Sequence, residues 1–369
     1  MPKKDVLNII DLYNKAEING LRDVTNSAIM AFSPYYWNNN GFPIKINSIK
    51  ELWRYHDTMQ DERYLWNKKC IRNCKVEKAD LSLLEDVKNK IYQFSCVFDF
   101  PYKSPAINAL TRSFYQYLRI KGLIKNNQKE ITILEVGPGC GYLGVFLSLS
   151  GYKYIAIECV QAYYVYQSSL WNHIFKNDYN NGISKNNSQK IRHIVWWEFN
   201  KLNFKTPEFD IFTANHVFSE MHPFAVNRFL KTFNLNNNDN CIGFVDCLGH
   251  EHTSYKKIFK KFIDFKINVE EIYPENYLLK KSSKKGFIKL KKISYFKILV
   301  TKLPSFFFKR LENIRSLIRF FERKIIFKSY KDINRKKSFL SVEQKIDEIF
   351  GDFSDHKTPD SIYLSTSDL

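Results

Sequence analysis

Residues 131–144 read ITILEVGPGCGYLG. Ile131, Ile133, Leu134 and Val136 form a short apolar run of the kind that makes a buried strand. Glycines at alternate positions, Gly137, Gly139 and Gly141, then interrupt it, and Pro138 between them cannot continue a strand. The apolar segment LGVFLSLSG follows with helical character and stops at Gly151. A strand, a glycine turn and a helix start bring backbone N–H groups close to a nucleotide-like ligand. Glycine is required there because the turn needs positive φ and leaves no room for a Cβ beside the ligand.

Two cofactor readings compete for this loop. Gly139, Gly141 and Gly144 spell G-x-G-x-x-G, the dinucleotide fingerprint. That fingerprint places its first glycine directly at the strand end, which here is Gly137, and counted from Gly137 its last position falls on Tyr142. The strand also ends in an acid, Glu135, two residues before the first glycine. The order acid-x-Gly-x-Gly-x-Gly resembles motif I of class I S-adenosylmethionine (SAM) dependent methyltransferases. The resemblance implies SAM as cofactor, with Glu135 at its methionine end and Gly137, Gly139 and Gly141 as the loop around it.

Downstream, apolar strands and helix-like segments alternate as in a doubly wound α/β sheet. YKYIAIE is a second strand, and its last residue, Glu158, lies 21 residues beyond Gly137, close to the spacing at which an acid accepts hydrogen bonds from ribose hydroxyls. AYYVYQSSLWNHIF reads as a helix, and NDYNNGISKNNSQK as a long polar loop without core-forming residues. IRHIVWWEFN reads as a third strand, with Glu198 at its end as a candidate adenine contact. Trp196 and Trp197 offer stacking surface, although core packing is the ordinary use of such a pair.

The stretch FDIFTANHVFSEMHPFAVNRFLKTF places a strand at Asp210–Ala214, a turn over 215–220 and a helix from Pro223, with proline near its first position. Ligands of open α/β sheets bind beyond the carboxyl ends of the strands, so His216, Glu220 and His222 cluster where a methyl acceptor belongs. With the upstream loop, this segment resembles the sugar O-methyltransferase group of bacterial polysaccharide clusters, over about Ser104 to Leu248. The resemblance implies transfer of a methyl group to a sugar hydroxyl in surface glycan synthesis, on a nucleotide- or lipid-linked acceptor. A sugar hydroxyl is a poor nucleophile until a base takes its proton. Either His216 or His222 has the chemistry for that, with Glu220 as orienter or alternative base. The Asn/Asp-Pro-Pro-aromatic sequence of amino-group methyltransferases is absent here, and so is a Pro-Cys pair, so a nucleic-acid substrate is disfavoured. A small-molecule or RNA methyltransferase, or a non-catalytic SAM-fold module holding an anionic partner, are the alternatives.

CIGFVDCLGHEHTSY supplies a further strand ending in Asp246, and Asp246, His250 and His252 form a weak candidate set for a divalent ion. Beyond it, SYKKIFKKFIDF reads as a crossover helix, and the segments after Asn268 complete the sheet. Upstream, DVLNIIDLYNKAEI and ADLSLLEDVKNKIYQF carry helical spacing around an irregular aromatic loop, FSPYYWNNNGFPIKI. SPAINALTRSFYQYLRIKG is a third helix framed by Ser104-Pro105 and Gly122, with Arg112 and Tyr115 as candidates to face the site.

The 369 residues carry a net charge of +19, and 18 of those charges arise between Lys256 and Lys337, where 25 Lys and Arg meet 7 Asp and Glu. Basicity therefore belongs to the C-terminal third and signals a partner or a location more than catalysis. Residues 305–330, SFFFKRLENIRSLIRFFERKIIFKSY, place Phe307, Leu311, Ile314, Ile318, Phe321 and Ile325 on one helical face opposite Arg and Lys. That pattern suits a helix packed on the α/β domain with a solvated basic face, or one lying on an anionic membrane surface. SVEQKIDEIFGDF adds a short helix with a Ser341…Gln344 capping box. The seven cysteines show no C-x-x-C pair, and the N-terminus lacks the apolar core of a signal peptide. The expectation is a cytoplasmic protein, peripheral at the membrane face. Its three parts are a mostly helical N-terminal cap (1–128), a Rossmann-like α/β domain with a mostly parallel doubly wound sheet (129–303) and a basic helical C-terminal extension (304–369).

Overall fold

The computed structural model describes residues 2–32, 45–56, 70–71, 73–101, 103–105, 107–124, 130–183, 190–201, 208–218, 221–248, 255–273, 275–290 and 349. Among the described residues, four α-helices precede the sheet, α1 (Pro2–Leu21), α2 (Asn26–Phe32), α3 (Lys78–Val97) and α4 (Ile107–Leu123), with a 3-10 helix at Ile49–Tyr55. The α/β portion then runs β1 (Thr132–Val136), α5 (Tyr142–Leu149), β2 (Lys153–Glu158), α6 (Gln161–Phe175), β3 (Tyr179–Asn180), β4 (Ile191–Val195), α7 (Trp196–Lys201), β5 (Ile211–Ala214), α8 (Pro223–Leu235) and β6 (Ile242–Asp246). It closes with α9 (Tyr255–Asp264), β7 (Ile267–Tyr273), β8 (Asn276–Lys281) and β9 (Ile288–Lys289).

The sheet order is β3-β4-β2-β1-β5-β6-β8-β7-β9. All pairings from β3 through β6 are parallel, and only β8 runs against its neighbours β6 and β7. After β1 the chain builds outward through β2 and β4, then returns to the other side of β1 with β5. The switch point, the crevice where such sheets bind ligands, therefore lies between β1 and β5. In β2 and β5 every residue but Lys153 is buried, as expected of parallel strands covered on both faces. β7 instead alternates buried and half-buried positions, as a strand near the sheet edge does.

Close packing explains two glycines outside the turn. A Cβ on Gly144 would stand 2.5 Å from the Tyr154 ring, so α5 can approach β2 only because position 144 has no side chain. A Cβ on Gly20 would stand 2.2 Å from Trp197, which fixes the end of α1 against α7. The helical cap is thus part of the same body: α3 and α4 pack on α5, α1 on α6, and α2 on α8.

The structure corrects several expectations. IRHIVWWEFN is not one strand: β4 stops at Val195 and Trp196–Lys201 is helical. Trp196, Trp197 and Phe199 are all buried there, because a helical turn turns all three rings inward. The polar stretch after α6 holds β3, and its Tyr179 is buried against Trp171, ring centroids 6.0 Å apart, with its hydroxyl 2.7 Å from Ser168 Oγ. α4 begins at Ile107 and runs through Gly122 to Leu123, so Gly122 is not its terminator. Of GFIKLKKISYFKILV only Ile288–Lys289 is a strand among the described residues. The aromatic loop over 33–44, the amphipathic stretch 305–330 and the Ser341…Gln344 box lie outside the described residues.

Candidate functional site

The glycine loop folds as its sequence requires. Gly137, Gly139 and Gly141 have φ of 66°, 58° and 75°, a region that side chains disfavour. Gly137 N–H donates to Ile157 O (3.0 Å) and Gly141 N–H to Pro138 O (2.9 Å), so the loop is tied to β2 and closed on itself. Helix α6 secures it from one side: Gln167 Nε2 donates to Gly139 O (2.7 Å) and Trp171 Nε1 to Gly141 O (3.1 Å). Tyr142, the first residue of α5, donates to His56 O (2.7 Å) and meets Tyr166 at 3.1 Å, which pins the helix start to the cap. Burial pushes His56 down to about 4, so this brace is uncharged at neutral pH.

Two acids flank the loop. Glu135, next to last in β1, is buried and accepts from Tyr154 Oη at 2.6 Å. Burial lifts its carboxyl to about 7, against the pull of hydrogen bonds from Tyr154 and Asn215. Glu158 ends β2; its Oε1 accepts from the N–H groups of Cys159 (2.8 Å) and Val160 (2.9 Å), and its Oε2 from Gln167 Nε2 (3.0 Å). Burial raises its pKa too, opposed by those three donors. Gln167 therefore bridges loop and acid, while its own Oε1, buried, has no partner among the described residues.

The turn after β5 closes the other side. A Cβ on Gly137 would stand 2.6 Å from Val217 Cγ1, so Asn215-His216-Val217 lies directly on the glycine loop. His216 is half-buried with φ 63°, and its N–H is shared by the Asp246 and Cys247 carbonyls, both at 3.1 Å. Asn215 Oδ1 accepts from Asp246 N–H (2.9 Å), which locks the turn to the end of β6.

The remaining candidates are placed differently. His222 is the N-cap of α8, its Nδ1 accepting from Phe224 N–H at 3.2 Å. Glu220, His250 and His252 lie outside the described residues. Glu198 is not at a strand end but on α7, its side chain 45 % exposed and 3.3 Å from Lys201 Nζ. Asp246 is the one member of the candidate metal set among the described residues. Its carboxylate is taken up by Arg112 Nε (3.4 Å), Gln116 Nε2 (2.9 Å) and Asn276 Nδ2 (3.0 Å), and no metal-binding cluster occurs among the described residues. Arg112 is buried rather than exposed, and Tyr115 is a core residue that donates to Asn276.

Solved structures to which the chain is similar include several methyltransferases. One is a TehB-like SAM-dependent methyltransferase from Corynebacterium glutamicum, 11% identical over 45% of this chain and 87% of that one, with a TM-score of 0.33. A second is an O-methyltransferase family protein from Burkholderia thailandensis, 9% identical over 48% of this chain and 61% of that one, at 0.32. A third is the Podospora anserina methyltransferase PaMTH1 with S-adenosylhomocysteine (SAH) bound, 11% identical over 62% of this chain and 98% of that one, at 0.36. No protein-family profile matches the chain. No curated protein matches it either.

The site itself fits a nucleoside-bearing cofactor. It offers a side-chain-free loop at the switch point, an acid at the end of each of two adjacent strands, and a buried amide oxygen, Gln167 Oε1, awaiting a donor. Gln167 escaped the sequence reading because it lies nine residues beyond Glu158 on a helix, where nothing local marks a single amide.

Proposed function

We propose that this chain is a SAM-dependent O-methyltransferase whose acceptor is a sugar hydroxyl in surface-glycan synthesis. The observation that carries the reading is the acid–glycine loop, folded with three positive-φ glycines between β1 and α5 and flanked by Glu135 and Glu158. Glu135 would hold the methionine end of the cofactor, the loop its middle, and Glu158 the ribose. SAM supplies a methyl group already activated by its sulfonium, so the protein has to align the acceptor oxygen with it and remove one proton.

His216 is the base best supported by position. Its turn rests on Gly137 through Val217, and its left-handed backbone is held by two carbonyls of the β6 end. With SAM bound, which would supply the activated methyl group, the His216 imidazole would take the acceptor O–H proton as the acceptor oxygen is methylated. The Nδ1 of His222 is engaged in capping α8.

Calorimetric titration with SAH tests the reading. The intact chain is expected to bind in the micromolar range, and Gly139→Arg to abolish binding, because a side chain at φ 58° fills the loop. Binding of NAD or NADP in place of SAH would overturn it. A screen of nucleotide- and lipid-linked sugars as acceptors, with His216→Ala as the control, then tests the acceptor class.

A further inference from the structure

Tyr13 lies on α1, more than a hundred residues before the glycine loop, and its side chain is fully buried. Its ring is wedged between Tyr164 of α6 and Trp197 of α7, with ring centroids 4.8 and 4.9 Å away. Those helices follow β2 and β4, neighbouring strands in which Glu158 stands beside Val195. The cap thus inserts Tyr13 at the strand edge that carries Glu158. Burial first, then the charges of Glu17, Cys159 and Glu158, hold its hydroxyl pKa well above the ordinary value.

The Tyr13 hydroxyl nevertheless makes no hydrogen bond among the described residues. Gln167 shows the complementary deficit: its Nε2 donates to Gly139 O and Glu158, while its Oε1 accepts nothing among those residues. Folded proteins rarely leave buried polar atoms unpaired, and each such atom calls for a partner. The acceptor belongs to a side chain hydrogen-bonded to the Glu158 carboxylate, and the donor is packed on the helices that follow the two strands ending at Glu158 and Val195. A vicinal diol answers both, since each hydroxyl donates one hydrogen bond and accepts others.

We propose that Tyr13 and Gln167 complete a ribose-binding site around Glu158, Tyr13 Oη donating to one ribose hydroxyl and Gln167 Oε1 accepting from the other. The inference rests on the SAM reading above and extends the cofactor site to the first helix of the chain. Both atoms are sealed from water as the chain is folded here, so α1 has to yield for the ribose to enter and then re-close over it.

The test is a cycle of two proteins and two ligands: the intact chain and Tyr13→Phe, each titrated with SAH and with its 2′,3′-dideoxy analogue. Tyr13→Phe is expected to weaken SAH about three- to tenfold, the worth of one neutral hydrogen bond, and to leave the analogue unchanged. The variant without ligand is expected to melt at the same temperature or higher, because it loses only an unpaired hydroxyl. SAH binding equal to that of the intact chain, or an equal loss for both ligands, overturns the proposal while the SAM reading stands. Failure of the intact chain to bind SAH overturns both.

Discussion

Glu135 sits in an environment far from what its residue type suggests. An unfolded glutamate titrates near 4.5, whereas burial holds this one at about 7. Between those values the folded chain keeps a proton that the unfolded chain has lost. The stability tied to Glu135 is therefore complete below about 4.5 and is lost as pH rises through about 7. Glu135→Gln, which fixes the neutral form, is expected to stabilise the ligand-free protein progressively from pH 5 to pH 8, by up to about 3 kcal/mol at the upper end. Thermal melts of both proteins across that range check it, and parallel curves would refute it. The same substitution is expected to weaken SAH, because a carboxylate facing the cofactor amino group is what the site would lose. The glycines, Glu135 and Glu158 were all legible in the sequence, since a turn with that backbone and acids at those spacings leave a local signature. Tyr13 and Gln167 left none: what marks them is an unpaired atom, visible only once distant helices are packed together.

At the scale of elements, α4 bears on the site without touching it. Arg112 and Gln116, one turn apart on its buried face, hold the Asp246 carboxylate, and the Asp246 backbone holds Asn215 and His216. Removing one partner of a buried ion pair leaves an uncompensated charge, which costs about 3–5 kcal/mol. Arg112→Met is accordingly expected to lose several kcal/mol in denaturant unfolding, and Arg112→Met with Asp246→Asn to recover part of that loss. A single variant as stable as the intact chain would show that Asp246 does not depend on α4. Helical spacing revealed α4, and the alternation of elements revealed the parallel sheet with Asp246 at a strand end. The contact between them was not legible, because it joins positions 134 residues apart in the chain. The strand reading of Trp196–Lys201 failed for a related reason: aromatic residues favour strands, but three rings buried within one short turn are placed by the core they fill. β3 was missed because two residues are too few to show a period.

At the scale of the whole molecule, the charge is uneven: residues 1–290, which hold the sheet, carry a net +12, and the much shorter stretch 291–348 carries +10. The sheet ends at β9, Leu290 packs on the core, and Ile349 is again buried, its carbonyl accepting from Lys88 of α3 at 2.5 Å. The intervening stretch 291–348 carries a net charge of +10. No helix among the described residues is long and apolar enough to cross a membrane. An amphipathic sequence with a basic face instead suits the surface of an anionic bilayer, where each Lys or Arg near the lipid contributes about 1 kcal/mol and the attraction fades with salt. Contact of 305–330 with such a surface makes a prediction that does not depend on the chemistry. The full chain is expected to float with vesicles of mixed phosphatidylserine and phosphatidylcholine at low salt, and to remain behind when phosphatidylcholine is used alone or salt approaches 1 M. Replacing Arg315, Arg319 and Arg323 by Gln is expected to reduce flotation and leave SAH affinity unchanged, since the glycine loop, Glu135 and Glu158 all lie outside the replaced segment. Flotation indifferent to lipid charge, or absent from both vesicles, would return the basic face to solvent and detach the location of this protein from its charge.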